Sequence, residues 1–597
     1  QNLNKENLAP ELEEISYLGV DKVYFSGDYP AILFKEVNYF DNNALKDIAR
    51  IQHLCWNYRK VIFLFILSKT EIRIYNCSKR PFNYENTGLK LSDELEKLEI
   101  ARSDYDNLKT IHTIKELFSR VAVDCGLLWT TENKLRDKIS LQERIDKYLV
   151  KSLLNAAKEL KKLELSEEII HSLLMRSIFI MYLEDKGAAK ETNLYKNILQ
   201  GAASYIDILA DKDSTYSIFE KVEDHFNGNV FPLIPGEKKA VTLKHLDVIK
   251  KCLFDGDLSG VPKLFNEWRL FRFDIIQIEL LSEIYEHFLE EFKESQKEKA
   301  GQYYTPPSLV ELILNEKLKY KNETQWQFKI LDPACGSGIF LVESFKRLVK
   351  RWKNAHLGQQ ITFSDLREIL EQNIFGIEYD RLAIRVTAFS LYLAILEHLN
   401  PRTLWIDKRY KFPYLIFDPQ DKALKKQGNN LLRQDSIGET VADCFGNINL
   451  VVGNPPFGSK IDLSSIKDYC TKNDFGQDMV IPFLHKAIVF APMGSIALIF
   501  NTKILTNKEG TFENFRRWLF NDTYVEKVYN FSIFRKTPKT FGGQLFSSAV
   551  GPVSIAFYQS KPPLKQSATI EYWAPKTYVK NSLTEGVIID STDIKFL

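Results

Sequence analysis

The feature that most limits what this chain can become is an alternation of short apolar runs with longer amphipathic stretches over residues 296–560. FKILD, NIFGIE, INLVVGN, SIALIFN and VSIAFY are runs of strand length, and helical periodicity fills the intervals between them. Strands apolar throughout are buried on both faces, and helices between successive strands make crossover connections. The pattern predicts an α/β domain with a doubly wound, mostly parallel sheet. In such sheets ligands bind at the carboxyl ends of the strands.

Two regions precede this one. Residues 15–95 form a small α/β pattern: a strand at Ala31–Val37, a helical stretch NALKDIARIQHLCWNYRK, then strands VIFLFILS and EIRIYN. Residues 105–295 carry helical periodicity almost throughout. Examples are QERIDKYLVKSLLNAAKELKKL and SEEIIHSLLMRSIFIMYLEDKG, the latter closing at Gly187. The run FLEEFKESQKEKAG fits a solvated helix face. The expected plan is a small α/β domain (1–100), a helical domain (101–295), the sheet domain (296–560) and the start of a C-terminal region (561–597).

Composition sets bounds rather than a function. A net charge of +2 neither demands nor excludes nucleic acid, because a neutral total can hide a basic cleft. No run reaches the ~18 apolar residues of a membrane span. The polar start QNLNKENLAPELEEISYLG is no secretory signal. Seven cysteines, none spaced as in a zinc site, fit reduced thiols in a cytoplasm and no structural metal. Gln1, in place of Met, implies that the natural start is missing.

The first chemical signal is KILDPACGSGIF. A strand, Lys329–Leu331, runs into Asp332, then a turn of small residues, then the helix FLVESFKRLVKRW. Ala334, Gly336 and Gly338 keep the turn slim, so backbone approaches a ligand at a helix N-terminus. The segment has neither the glycine spacing of a nicotinamide fold nor the Lys-Ser/Thr of a P-loop. About forty residues on, a second strand ends at Glu378, where a carboxylate can accept both hydroxyls of a ribose; Asp380 is the alternative. A third acid, Asp435, follows NNLLRQ and could read the amine of a bound adenine.

INLVVGNPPFGSK is the second signal. A strand, Leu450–Val452, ends at Gly453, and Asn454, Pro455, Pro456 and Phe457 follow. Two prolines fix φ and remove two donors. The Asn454 side-chain carbonyl and the Pro455 backbone carbonyl can then accept both hydrogens of an amine, and Phe457 offers a face on which a base can stack.

LDPACGSGIF followed by GNPPF resembles the amino-methyltransferases of the gamma order, N6-adenine DNA methyltransferases of restriction–modification systems. The nearest kin in pattern are type I modification subunits and single-chain type IIG enzymes. GQYYTPPSLVELIL resembles the segment those enzymes fold over the methionine end of the cofactor, with Tyr304, Thr305 and Pro306 at its centre. The resemblance spans roughly residues 280–558 and extends to RSIFIMYLEDKG and LLSEIYEHFLEEF. It implies the class I S-adenosylmethionine-dependent methyltransferase fold, S-adenosyl-L-methionine as cofactor, double-stranded DNA as partner, and a specificity or restriction subunit as a further one. It implies a second aromatic against the flipped base: Phe546 in LFSSAVGPVSIAFY, or else Phe534. The family often carries an aromatic after the third acid. Ser436 stands there, which leaves the cofactor adenine contact unassigned.

Alternatives stay open at this point. Asn-Pro-Pro-aromatic also occurs in enzymes that methylate a glutamine amide. An exocyclic cytosine amine offers the same two hydrogens, although Asn in first place favours adenine by resemblance. Type IIG enzymes often carry an N-terminal nuclease with an acid, then acid-x-Lys on a strand. Here Asp28 precedes the strand, but Leu33 stands two before Lys35, and Glu36 points to the other face. The domain fits a nuclease-like or degenerate unit. Too little chain follows Tyr558 for a major-groove reader, so target recognition is expected beyond Leu597 or on another subunit.

Overall fold

The computed structural model describes residues 9–26, 29–81, 83, 97–102, 116–124, 139, 143–188, 193–226, 229, 232–254, 256, 258, 269–276, 305–400, 404, 409–438, 445–457, 464–536, 546, 551–561, 569–575 and 594–595. Tyr304, Asp28, LLSEIYEHFLEEF and FLEEFKESQKEKAG lie outside them. Contacts group the chain into two units: residues 1–218 with 236–280, and residues 219–235 with 281–597. Among the described residues no helix is long and apolar enough to cross a membrane.

The first unit holds a five-stranded sheet in chain order: β1 (Lys22–Ser26), β2 (Tyr29–Glu36), β3 (Phe63–Leu67), β4 (Glu71–Asn76) and β5 (Lys97–Arg102). Only the β2–β3 pair is parallel, because the helix Asn42–Tyr58 crosses between them. Asp41 caps that helix by accepting from Ala44 N at 2.8 Å. Leu33 is fully buried and joins the apolar cluster beneath the helix, with Leu45, Ile48 and Leu64. Lys35 pairs instead with Asp21, at 3.4 Å. The same unit includes the helices Ile145–Lys162 and Glu167–Asp185. A segment from Arg269 to Asp274 ties them to the sheet. Its Leu270 carbonyl accepts from Asn57 Nδ2, Phe271 stacks on Trp56, and Phe273 N donates to Asp185. The regions 1–100 and 101–295 thus share one body as far as residue 280.

The second unit is built on a ten-stranded sheet. Its strands are β6 (Ile330–Asp332), β7 (Ile374–Glu378), β8 (Ile416–Phe417), β9 (Leu431–Arg433), β10 (Leu450–Gly453), β11 (Ser495–Asn501), β12 (Tyr524–Asn530), β13 (Val553–Gln559), β14 (Glu571–Pro575) and β15 (Ile594–Lys595). Their order is β8-β9-β7-β6-β10-β11-β13-β12-β14-β15. From β8 to β11 every pair is parallel, and β13 enters antiparallel between β11 and β12. This is the arrangement of class I methyltransferases. β6, β7 and β10 are buried at every position, as strands covered on both faces must be. The first motif strand ends one residue later than the sequence suggests, at Asp332. The sheet also continues past residue 560 through β14. The order reverses around β6, with β7 on one side and β10 on the other. The crevice at their carboxyl ends is where such a sheet binds ligands.

Candidate active site

The glycine turn after β6 is shaped by its own backbone. Ala334 N donates to Asp332 Oδ1 at 3.0 Å, Cys335 N to the Ile377 carbonyl at 3.0 Å, and Gly338 N to the Cys335 carbonyl at 2.8 Å. Gly338 has φ +89° at the start of the helix Ile339–Ala355, and a Cβ there would lie 2.7 Å from Thr387 Cγ2. Both conformation and space require glycine. Thr387 Oγ1 in turn donates to the Gly336 carbonyl at 2.7 Å.

Glu378 closes the turn from the neighbouring strand. Its Oε2 accepts from Gly336 N at 2.9 Å and its Oε1 from Asp380 N at 2.8 Å. The Asp380 carboxylate caps the helix Arg381–Leu396, accepting from Leu382 N at 2.8 Å and Ala383 N at 3.0 Å. Of the two acids, Glu378 is therefore the one fastened to the glycine turn. Asp435 lies two residues past β9, and its Oδ1 accepts from Ile437 N at 2.9 Å. The buried Ser436 hydroxyl donates to the Pro333 carbonyl, which ties this third acid's turn to the first.

β10 delivers the tetrapeptide beside them. A Cβ on Gly453 would lie 2.5 Å from Asp332 Oδ1, so Asp332 abuts the end of β10. Asn454 Nδ2 donates to Thr305 Oγ1 at 3.0 Å. Pro306 follows Thr305 and precedes the helix Pro307–Lys317. Phe457 and Phe546 are both buried, with ring centroids 5.8 Å apart at 85°. Phe534 packs on Phe531 instead, at 6.0 Å. Asp332 is 1% exposed, and burial, opposed by the Ala334 N–H and aided by the Glu378 carboxylate, pushes its carboxyl up to about 8. Burial also raises the Cys335 thiol well above its ordinary value, so it is a neutral packing group and not a nucleophile.

Residues 276–407 match the family model for N-6 DNA methylase, and residues 372–535 match that for Eco57I restriction-modification methylase. The chain carries an N-6 DNA methylase domain of restriction–modification type. Among curated proteins, the type II restriction enzyme and methyltransferase RM.Eco57I of Escherichia coli is 23% identical over 93% of this chain and 59% of its own length. The MjaIX methylase subunit, a type I restriction enzyme component of Methanocaldococcus jannaschii, is 26% identical over 49% of each chain. The crystal structure of the type IIG restriction endonuclease BpuSI aligns with 96% of this chain and 58% of its own, at 13% identity and a TM-score of 0.41. The chain thus spans about half to three fifths of the length of these relatives.

The methylase site also contains residues that sequence reasoning passed over. Ala334 packs against a cluster of Ile437, Ile466, Cys470, Met479 and Phe483. Phe483 and Met479 belong to the helix Val480–Phe490 and the residue before it, and Ile437 follows Asp435 and Ser436. The cluster offers an apolar wall beside the third acid, where Ser436 supplies none. VIPFLHKAIVF gave no signal for this, because a phenylalanine in an apolar helix ordinarily marks a core. Tyr379, 58% exposed directly after Glu378, stands under the Arg433 guanidinium, 5.9 Å from its ring centre.

Proposed function

We propose that this methylase is a site-specific DNA adenine methyltransferase that transfers a methyl group from S-adenosyl-L-methionine to the N6 amine of an adenine flipped out of double-stranded DNA, acting in a restriction–modification or defence setting. One observation carries the reading: Asn454, at the carboxyl end of β10, stands next to the Asp332 end of β6, where the glycine turn and Glu378 converge. The turn is suited to the cofactor's shape and charge. Its backbone is bare enough for close approach, and Asp332 and Glu378 set two carboxyl groups side by side. Asp332, Ala334, Gly336, Gly338, Glu378 and Asp435 would hold the cofactor, joined by Thr305, Pro306 and Tyr304. S-adenosylmethionine, when bound, supplies an electrophilic methyl group on a sulfonium. Asn454 and the Pro455 carbonyl accept the two amine hydrogens, which turns the nitrogen lone pair out of the ring's conjugation. Phe457 and Phe546 stack on the base, offsetting part of the few kcal/mol that flipping costs. In the present arrangement the two rings meet edge to face, so Phe546 moves aside to admit a base.

A second reading, an active nuclease in the first unit, has in its favour that RM.Eco57I matches 93% of this chain. Leu33 weighs against it. A metal-holding acid at that position would sit inside an apolar cluster. One experiment separates the readings. The protein is incubated with labelled donor and unmethylated plasmid, with and without magnesium. Label in N6-methyladenine and uncut plasmid are expected. Absence of methyladenine would overturn the first reading, and magnesium-dependent cuts lost on mutating Lys35 would establish the second.

Donor binding should also be linked to a proton. With its carboxyl at about 8, Asp332 is protonated at neutral pH. A cationic donor favours the ionised form, so binding at pH 7 should release about one proton, and affinity should rise with pH until it levels above the free-state value. The neutral product, S-adenosylhomocysteine, should release less. Titration calorimetry in buffers of different ionisation enthalpy measures this. Identical apparent enthalpies in all buffers, or a release retained by Asp332→Asn, would contradict it.

A further inference from the structure

We infer that the Thr305 hydroxyl is a positioning group that sets which end of the Asn454 amide faces the methyl-accepting amine; the inference rests on the methyl-transfer reading above. The contact is Nδ2 to Oγ1 at 3.0 Å, between residues 149 apart in sequence. An amide has nearly the same shape when turned over, but its two ends are chemically opposite. One presents a carbonyl acceptor to an amine and the other presents two donors, which an amine hydrogen repels. Catalysis needs the first orientation only.

A hydroxyl by itself is indifferent, because it can donate or accept. It becomes selective when its own hydrogen is committed to another acceptor. Its oxygen must then accept, Asn454 must donate through Nδ2, and Oδ1 is turned the other way. Thr305 is held firmly enough for this. It is 5% exposed, and the rings of Pro306 and Pro307 fix the backbone that follows. The helix Pro307–Lys317 packs against the helix Ile339–Ala355 and against β11, the strand beside β10. A carboxylate arriving beside Thr305, as the amino-acid end of a donor would bring, takes the hydroxyl hydrogen. Loading the donor thereby orients the catalytic amide before the base arrives.

The test compares wild type with Thr305→Val, Thr305→Ala and Thr305→Ser in the full-length protein, on a duplex carrying the methylated site found by mapping. Three quantities are read: donor affinity by calorimetry, single-turnover methyl transfer at saturating donor, and fluorescence of 2-aminopurine at the target position. 2-Aminopurine lacks the N6 amine, so its flipping does not depend on the amide's orientation. Val and Ala should slow transfer roughly 10- to 100-fold at saturating donor, as small misplacements of a reacting group do. They should leave the 2-aminopurine signal intact, and Ser should restore the rate. Phe546→Ala, in contrast, should lower the fluorescence. Wild-type transfer by Val and Ala once donor saturates would overturn the inference, leaving Thr305 a cofactor ligand only. So would a Ser variant as slow as Val. A wild-type protein that methylates no adenine would overturn the underlying reading instead.

Discussion

Asn454→Ala should lower methyl transfer by roughly 10²- to 10³-fold, the usual cost of deleting one preorganised polar group at the reacting centre, while donor affinity stays near wild type. The split follows from where the side chain sits. Asn454 leaves β10 at Gly453, and its amide nitrogen is engaged by Thr305. The glycine turn and Glu378 belong to β6 and β7 and hold their shape through their own hydrogen bonds. Truncating Asn454 removes none of those bonds. It deletes the acceptor for the amine and leaves Phe457 in place, so the base should still flip and simply fail to react. Asn454→Asp keeps an acceptor but adds a second carboxyl group near Asp332, and should fall between wild type and Ala. Single-turnover incorporation of labelled methyl into DNA, beside calorimetry of donor binding, reads both halves. Near-normal transfer by the Ala variant would remove Asn454 from the catalytic role, and lost donor affinity would relocate it to the cofactor site.

The sheet's centre was legible in the sequence because its strands are buried on both faces. β6, β7, β10, β11 and β13 therefore stand out as unbroken apolar runs ending in Gly, Asp, Glu or Asn. The outer strands were not. β8 and β9 are two and three residues long, too short to show a period, and β12 mixes charged with apolar residues as an outlying strand does. Among the acids, Glu378 and Asp380 looked alike from spacing alone. The distinguishing signal was present but used otherwise: Asp380 directly precedes an apolar periodic run, which is the pattern of a helix cap. The proximity of Phe546 to Phe457, and of Thr305 to Asn454, arises from residues 89 and 149 positions apart and has no local signature. Only the resemblance of whole motifs suggested those segments.

Glu378→Ala should weaken donor binding by about 1.5–3 kcal/mol, or roughly 10- to 150-fold in Kd, through loss of a charge-assisted contact to two hydroxyls. The structure adds a second injury. The same carboxylate receives Gly336 N and Asp380 N, so its removal also releases the glycine turn from β7. Glu378→Gln does not escape this. Its single carbonyl can satisfy one of the two N–H groups, and its amide nitrogen then confronts the other with a donor. Both variants should therefore bind donor poorly and melt at lower temperature. They also remove a negative neighbour that helps hold the Asp332 carboxyl up at about 8. In Glu378→Ala the Asp332 carboxyl should ionise at lower pH. The pH at which donor affinity levels off should then move down, and fewer protons should be released on binding at pH 7. Calorimetry across pH measures affinity and proton release together. An unchanged Kd would take the ribose away from Glu378. A weakened Kd with an unmoved pH profile would keep that contact and show that Glu378 does not set the charge on Asp332.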